Sequence, residues 1–234
     1  MEKICSILIP SRNRFDRLME CSKRAFENVT NPNAIEILVR IDRDDPETYK
    51  RICEFPKEWN MKFVIGDRYR GYKDLYLMYD ELCKIATGEF FWLYNDDVDI
   101  QNAGWDNFLQ QYKNKVIIIH PFQERATHAD GSELPIFHRK VYDIIGHFGQ
   151  YYHIDDWYRQ LVEHIIQDYP NFLVKATKEN IHIKHFVLPM EHIKDGICEQ
   201  ACRFPPVTTE QWTATKNDGD TILEWLDKNP GWKL

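Results

Sequence analysis

Apolar residues in the first hundred positions switch repeatedly between two spacings. Ile4–Pro10 (ICSILIP) is a short β-branched run closed by proline, the mark of a strand entering a loop. Phe15, Leu18, Cys21, Ser22, Ala25 and Phe26 then recur three and four apart, which predicts a helix over Arg14–Glu27. Ile35–Asp42 (IEILVRID) returns to a near-continuous apolar run that ends in the acidic loop DRDDP, with a short helix predicted after Pro46. Met61–Asp67 is a third strand. Tyr72, Leu75, Met78, Tyr79, Leu82, Ile85 and Ala86 form one helical stripe with Gly88 read as its stop, and Phe90–Tyr94 (FFWLY) is the fourth strand.

Strands alternating with helices predict an α/β fold with a mostly parallel central sheet flanked by helices. Ligands of such sheets gather at the strand carboxyl ends. Each strand here is followed there by a polar cluster: SRNR, DRDD, DRYR and NDDVD in turn. No G-x-G-x-x-G follows the first strand, and no G-x-x-x-x-G-K with Ser or Thr occurs, so neither a dinucleotide fingerprint nor a P-loop is present.

The second half is less regular. Val116–Phe122 reads as a strand, Arg125–Leu134 as a hairpin or loop around Asp130-Gly131, and Leu134–Gly149 as a segment entering a helix at Arg139. Asp155 and Asp156 open a helix whose apolar face is Trp157, Leu161, His164 and Ile165, so both acids fall in its first turn, where the helix dipole stabilises them. Asn180–Phe186 (NIHIKHF) alternates with period two, setting His182 and Lys184 on one face and His185 on the other. After Pro189, TTEQW and DTILEWLDKNPGW read as short terminal helices. Their Trp212, Trp225 and Trp232 pack back on the domain, close over an acceptor or form a homodimer contact.

Composition narrows the class. With 234 residues, 43% of them hydrophobic and 29% charged, the chain is neither disordered nor fibrous. The expected division is a domain over 1–188, in two parts at 1–100 and 101–188, followed by an extension at 189–234. Thirty Lys and Arg against 37 Asp and Glu leave a charge of −7, which argues against a broad basic surface for nucleic acid. The longest apolar runs are strand-length, too short for a membrane helix, and no leader pattern precedes the first strand, so a cytoplasmic protein is expected. The six cysteines sit singly in apolar patterns as small hydrophobes, except the pair Cys198 and Cys202, which lacks a matching second pair for zinc.

Asn95, Asp96, Asp97 and Asp99 carry the most specific chemistry. Carboxylates crowded at a strand end repel unless a cation or donor lies among them, which suggests Mg²⁺ or Mn²⁺ with a diphosphate completing the shell. An acidic turn capping a helix near Gly104 or Trp105 is the other reading.

Four segments together resemble the A-type nucleotide-sugar glycosyltransferases (GT-A), family 2-like inverting enzymes in particular. They are SILIPSRNR, ILVRIDRDD, ATGEFFWLYNDDVD and HIDDWYRQL, in order over about residues 4–186. The resemblance implies a nucleotide pocket lined by Pro10, Ser11 and Arg14, with Asp42 accepting a hydrogen bond from a pyrimidine base. Arg12, Arg68 and Arg70 would neutralise the diphosphate. Asn95, Asp96 and Asp97 fall on the family's Asp-x-Asp triplet; with Asn in first place, Asp97 becomes the stronger metal ligand and Asp96 or Asp99 compensates. His185, with His182 second, would join the metal or diphosphate shell. Asp156 is the implied catalytic base and Asp155 its neighbour that orients acceptor or sugar. The implied activity is transfer from a nucleotide-sugar, UDP-sugar favoured, to a hydroxyl of a glycan, protein, lipid-linked sugar or hydroxylated DNA base. A nucleotidyltransferase and a non-catalytic sugar-nucleotide-binding module of the same fold are the alternatives; SRNRFDR lacks the glycine-rich loop the former uses.

Overall fold

The computed structural model of the chain describes residues 3–123, 134–151, 154–185 and 207–234, the side chains of Tyr72 and His185 excepted. Ten strands alternate with helices in it. They are β1 (Lys3–Ser11), β2 (Ile35–Asp42), β3 (Met61–Gly66), β4 (Gly88–Leu93), β5 (Val98–Ile100), β6 (Ile118–His120), β7 (Phe122–Gln123), β8 (Ile136–His138), β9 (Leu173–Lys175) and β10 (His182–His185). The helices are α1 (Phe15–Asn28), α2 (Pro46–Arg51), α3 (Leu75–Cys83), α4 (Trp105–Gln110), α5 (Arg139–Ile145), α6 (Ile154–Asp168) and α7 (Thr209–Lys228).

The main sheet runs β3-β2-β1-β4-β8-β6-β9. Its first four strands are parallel, β8 is antiparallel to both neighbours, and β6 and β9 are parallel to each other. Pleating splits each apolar run between two faces. Ile7, Ile9, Ile37, Val39 and Trp92 pack with Phe15, Leu18 and Cys21 of α1, while Leu8, Leu38, Phe91 and Leu93 pack with Tyr79 and Leu82 of α3 and Trp157 and Leu161 of α6. Strands covered on both faces read as continuous apolar runs, which is why they were legible.

Four expectations need correction. Gly88 does not stop a helix: α3 ends at Cys83, and Gly88 opens β4 beside β1. A Cβ there would lie 2.5 Å from the Ser6 backbone nitrogen. The acidic cluster runs into a further strand, β5, which pairs with β10 in the small sheet β5-β10-β7, so Asp99 is a strand residue. The terminal helices are largely one helix, α7, begun by a Thr208–Gln211 capping box and continuing through Gly219, where the His164 ring occupies the space of a side chain. Cys53 is exposed rather than packed as a small hydrophobe. The Arg125–Glu133 part of the expected hairpin, Phe186, and Cys198 with Cys202 lie outside the described residues.

Two local readings match the structure. Gly146 ends α5 in the left-handed region at φ 79, and Asp155 and Asp156 occupy the first turn of α6. α7 packs along α6 and α5, with Ile222 and Leu226 buried in the same core as Trp157.

Candidate functional site

Parallel pairing brings three loops to one edge. Ser11 stands opposite Ile41 and Leu8 opposite Leu93, and Tyr94 N–H continues the ladder to Leu8 O at 3.0 Å. The chain leaving β1 turns through Asn13 at φ 54, whose N–H reaches Asp45 Oδ2 at 2.8 Å; Asp45 also caps α2 through Thr48 N–H. Between these loops and α3 lies a cleft of about 770 Å³ counted out to its open mouth.

Nine of the predicted residues line it: Pro10, Ser11, Arg12 and Arg14 after β1, Asp42 at the end of β2, Arg68 after β3, and Asn95, Asp96 and Asp97 after β4. Tyr69, Gly71, Leu75 and Met78 complete the lining and give it a partly apolar wall. Sequence reasoning missed these four. Tyr69 lay in a cluster weighed only for its arginines, and Leu75 and Met78 were counted as helix core, though α3 turns them to the cleft.

The polar wall is densely bonded. Asp96 is 4% exposed; Ser11 Oγ donates to its Oδ2 at 2.7 Å and Arg14 Nη1 to its Oδ1 at 3.1 Å. Burial pushes the Asp96 carboxyl above its ordinary value, and Arg14 and Ser11 pull it back. Asn95 Oδ1 accepts from Tyr79 Oη at 3.2 Å. Asp42 is held at both oxygens, by Arg12 Nη1 at 3.1 Å and by Arg40 Nη1 at 3.2 Å. Arg12 also grips Asp44 with its fork, and that hydrogen bond holds the exposed Asp44 carboxyl below its usual range. Arg68 lies 3.7 Å from the same carboxylate.

The remaining predicted residues lie elsewhere. Arg70 is turned to Asp74 in a two-bond pair at 2.7 and 2.8 Å and is outside the lining. Asp99 is buried on β5 near Arg17, Glu20, Arg24 and Lys184; burial pushes its carboxyl up and Arg17 opposes this. Asp155 is exposed and Asp156 half-buried at the start of α6, where Arg159 donates to Asp156 Oδ1 at 3.0 Å; neither is in the lining of the cleft. His182 is buried on β10, its ring 5.5 Å from that of Phe122, and the His185 backbone pairs with Val98.

A divalent cation needs several hard oxygen donors. Among the described residues no three His, Cys, Asp or Glu side chains converge as a complete metal shell. Asp96 is bonded to Ser11 and Arg14, and Asn95 to Tyr79; Asp97 lines the same cleft and is the ligand that the sequence resemblance names. A cation at this triplet would need further ligands from outside it, the oxygens of a bound diphosphate among them.

This partly parallel α/β sheet, with acidic and basic loops at its carboxyl edge, has a GT-A-like fold that it shares with solved glycosyltransferases. It superposes on the mannosyltransferase PcManGT of Pyrobaculum calidifontis, solved with GDP-Man and Mn²⁺, at a TM-score of 0.62 and 12% identity, over 99% of this chain and 78% of that one. Against S. aureus TarS the values are 0.61 and 12%, over 98% of this chain and 44% of TarS. Against TarS 1–349 with UDP-GlcNAc they are 0.58 and 12%, over 98% and 78%. The likeness is one of fold. No protein-family model matches the chain, and no curated protein matches it in sequence. No helix among the described residues is long and apolar enough to cross a membrane.

Proposed function

We propose that the chain is an inverting glycosyltransferase that moves a sugar from a nucleotide diphosphate donor, UDP-sugar favoured, to an acceptor hydroxyl with the help of a divalent cation. The observation that carries this reading is the meeting of Ser11, Arg12, Arg14, Asp42, Arg68 and the Asn95–Asp97 triplet in one cleft at the strand ends of this fold. Structural neighbours solved with GDP-Man and with UDP-GlcNAc support it.

Asp42 accepts an N–H of the base. Arg12, Arg14 and Arg68 line the cleft and supply positive charge to the diphosphate. Asp97 would hold the cation together with the diphosphate, and His185, whose backbone pairs with Val98, is the further ligand that the resemblance implies. When bound, Mg²⁺ or Mn²⁺ supplies positive charge to the leaving diphosphate. Asp156 takes the proton of the acceptor hydroxyl as that oxygen attacks the anomeric carbon; the carbon–oxygen bond to the diphosphate breaks and its electron pair leaves with the diphosphate. Asp155 orients the acceptor.

Isothermal titration with UDP- and GDP-sugars in the presence of Mn²⁺ tests the reading. Donor binding that weakens at least tenfold in Asp97→Ala, with transfer abolished in Asp156→Asn at unchanged donor affinity, is the expected result. Absence of binding by every common donor, or an Asp97→Ala variant that binds as well as wild type, overturns it. The neutral Asn95, its oxygen bonded to Tyr79, favours a second reading, a non-catalytic sugar-nucleotide-binding module. Donor hydrolysis with Mn²⁺ separates the two, since a binding module shows none.

A further inference from the structure

Arg40 is a charge set inside an apolar strand, and its side chain is only 1% exposed. Such a burial costs several kcal/mol unless every donor is used. Here the donors are widely used. Nε reaches Glu81 Oε2 at 2.6 Å, Nη1 reaches Ile41 O at 2.6 Å and Asp42 Oδ1 at 3.2 Å, and Nη2 reaches Asp67 O at 2.7 Å. The guanidinium thus ties together the end of β2, the loop after β3 and helix α3. Gly66 leaves room for it, since a Cβ at that position would lie 2.5 Å from Nη2.

Two of the groups tied in this way face the cleft. One is Asp42. The other is Tyr69, whose Oη donates to the second oxygen of Glu81 at 2.5 Å and whose ring centroid lies 5.3 Å from the Arg40 guanidinium carbon. Arg40 itself does not line the cleft. A buried charge that fixes an acceptor for N–H groups and a flat aromatic wall in the same cleft has the form of a holder for a planar, hydrogen-bonding ring.

We propose that Arg40 is the positioning residue for nucleoside recognition: it fixes Asp42 directly and, through Glu81, fixes Tyr69 as the ring that covers the base. The inference rests on the nucleotide-sugar reading and adds to it the residues that select the nucleoside rather than the diphosphate. The hydrogen bond to Glu81, aided by burial, also pushes the Tyr69 phenol above its ordinary value.

The test compares UDP, GDP and inorganic diphosphate as titrants of the full chain. Tyr69→Ala is expected to weaken binding of the preferred nucleotide about tenfold or more, and Tyr69→Phe and Glu81→Gln about threefold to fivefold. All three are expected to leave diphosphate binding near wild type, and the two Tyr69 variants the melting temperature as well. Arg40→Lys, which keeps the charge and loses the fork, is expected to weaken nucleotide binding more than Glu81→Gln; because it can also unfold the chain, the Tyr69 and Glu81 variants carry the decision. In turnover, Tyr69→Phe raises the donor KM with kcat unchanged. Equal losses of nucleotide and diphosphate affinity in Tyr69→Ala, or no loss of either, overturn the inference alone. Failure of the wild-type chain to bind either nucleotide overturns it together with the reading beneath it.

Discussion

At the scale of single residues, the acidic triplet trades charge for fit. Asp96 and Asp97 are only 4% and 6% exposed, and burial pushes the Asp96 carboxyl up while Arg14 and Ser11 oppose it. A third carboxylate in place of Asn95 would still accept from Tyr79 but would add like-charge repulsion beside Asp96 and Asp97. Asn95→Asp is therefore expected to lower stability in EDTA by about 1 kcal/mol or more, roughly 2–4 °C in melting temperature for a chain of this size, and to recover it on adding Mn²⁺. Calorimetric melting with and without the ion checks this; an unchanged Mn²⁺ response would count against a cation at Asp97. Glu36 behaves in the opposite sense to Asp96. Burial alone would raise its carboxyl, yet Ser6, the Thr87 N–H and hydroxyl, and Lys62 hold it below the ordinary value. A depressed carboxylate contributes stability above its unfolded pKa, ~4.3, and loses it as the pH falls through the lower folded value. Glu36→Gln is expected to cost about 1.5–3 kcal/mol near neutrality, with the difference from wild type shrinking below that pH; denaturant unfolding from pH 7 to 3 measures it.

At the scale of elements, glycine serves two unrelated needs. Gly88 has no side chain because β4 must lie against β1: a Cβ would meet the Ser6 nitrogen at 2.5 Å and the Cys5 carbonyl carbon at 2.7 Å. Gly146 has open space around its missing Cβ and is there for its φ of 79. Gly88→Ala is expected to cost roughly 3 kcal/mol and Gly146→Ala about 1 kcal/mol, an ordering that urea midpoints would reverse if backbone conformation mattered more than packing. The contrast also shows what the sequence could reveal. The strands β1, β2 and β4 were legible because burial on both faces leaves an unbroken apolar run, and nine predicted residues share the cleft because parallel strands end at one edge. Gly88 was misread because its constraint comes from a strand 82 positions earlier in the chain, by the register of its N–H with Ser6 Oγ. β5, three residues including a buried aspartate, has no pattern of its own and exists through pairing with β10. Arg40 was invisible as a functional residue for the same reason: its partners Glu81 and Asp67 belong to other elements.

At the scale of the whole molecule, the open question is whether α7 is an appendage or part of the core that carries the site. Its contacts favour the second. Ile222 and Leu226 are fully buried, and Asp218 accepts from Trp157 Nε1 at 3.0 Å and from Gln150 Nε2 at 3.1 Å, which fixes the loop entering α6. Beyond the helix, Trp232 O accepts from Val116 N–H at 3.0 Å, and Lys115 Nζ reaches Lys233 O at 2.7 Å, so the segment is sewn to the chain entering β6. Removing it would expose the apolar flank of α6, leave Asp218's donors Trp157 and Gln150 without their acceptor, and take away large buried side chains. The loss of Ile222 and Leu226 alone corresponds to about 2–5 kcal/mol each when truncated to alanine, comparable together with the whole stability of an ordinary domain. A chain ending at residue 206 is accordingly expected to be unfolded or aggregated by circular dichroism and size exclusion, and Ile222→Ala to melt well below wild type. Asp218→Asn separates packing from positioning: it keeps the volume and weakens the hold on Trp157 and Gln150. If α7 helps to place the start of α6, this variant loses turnover while keeping donor affinity; if α7 only closes the core, it loses neither beyond its small cost in melting temperature.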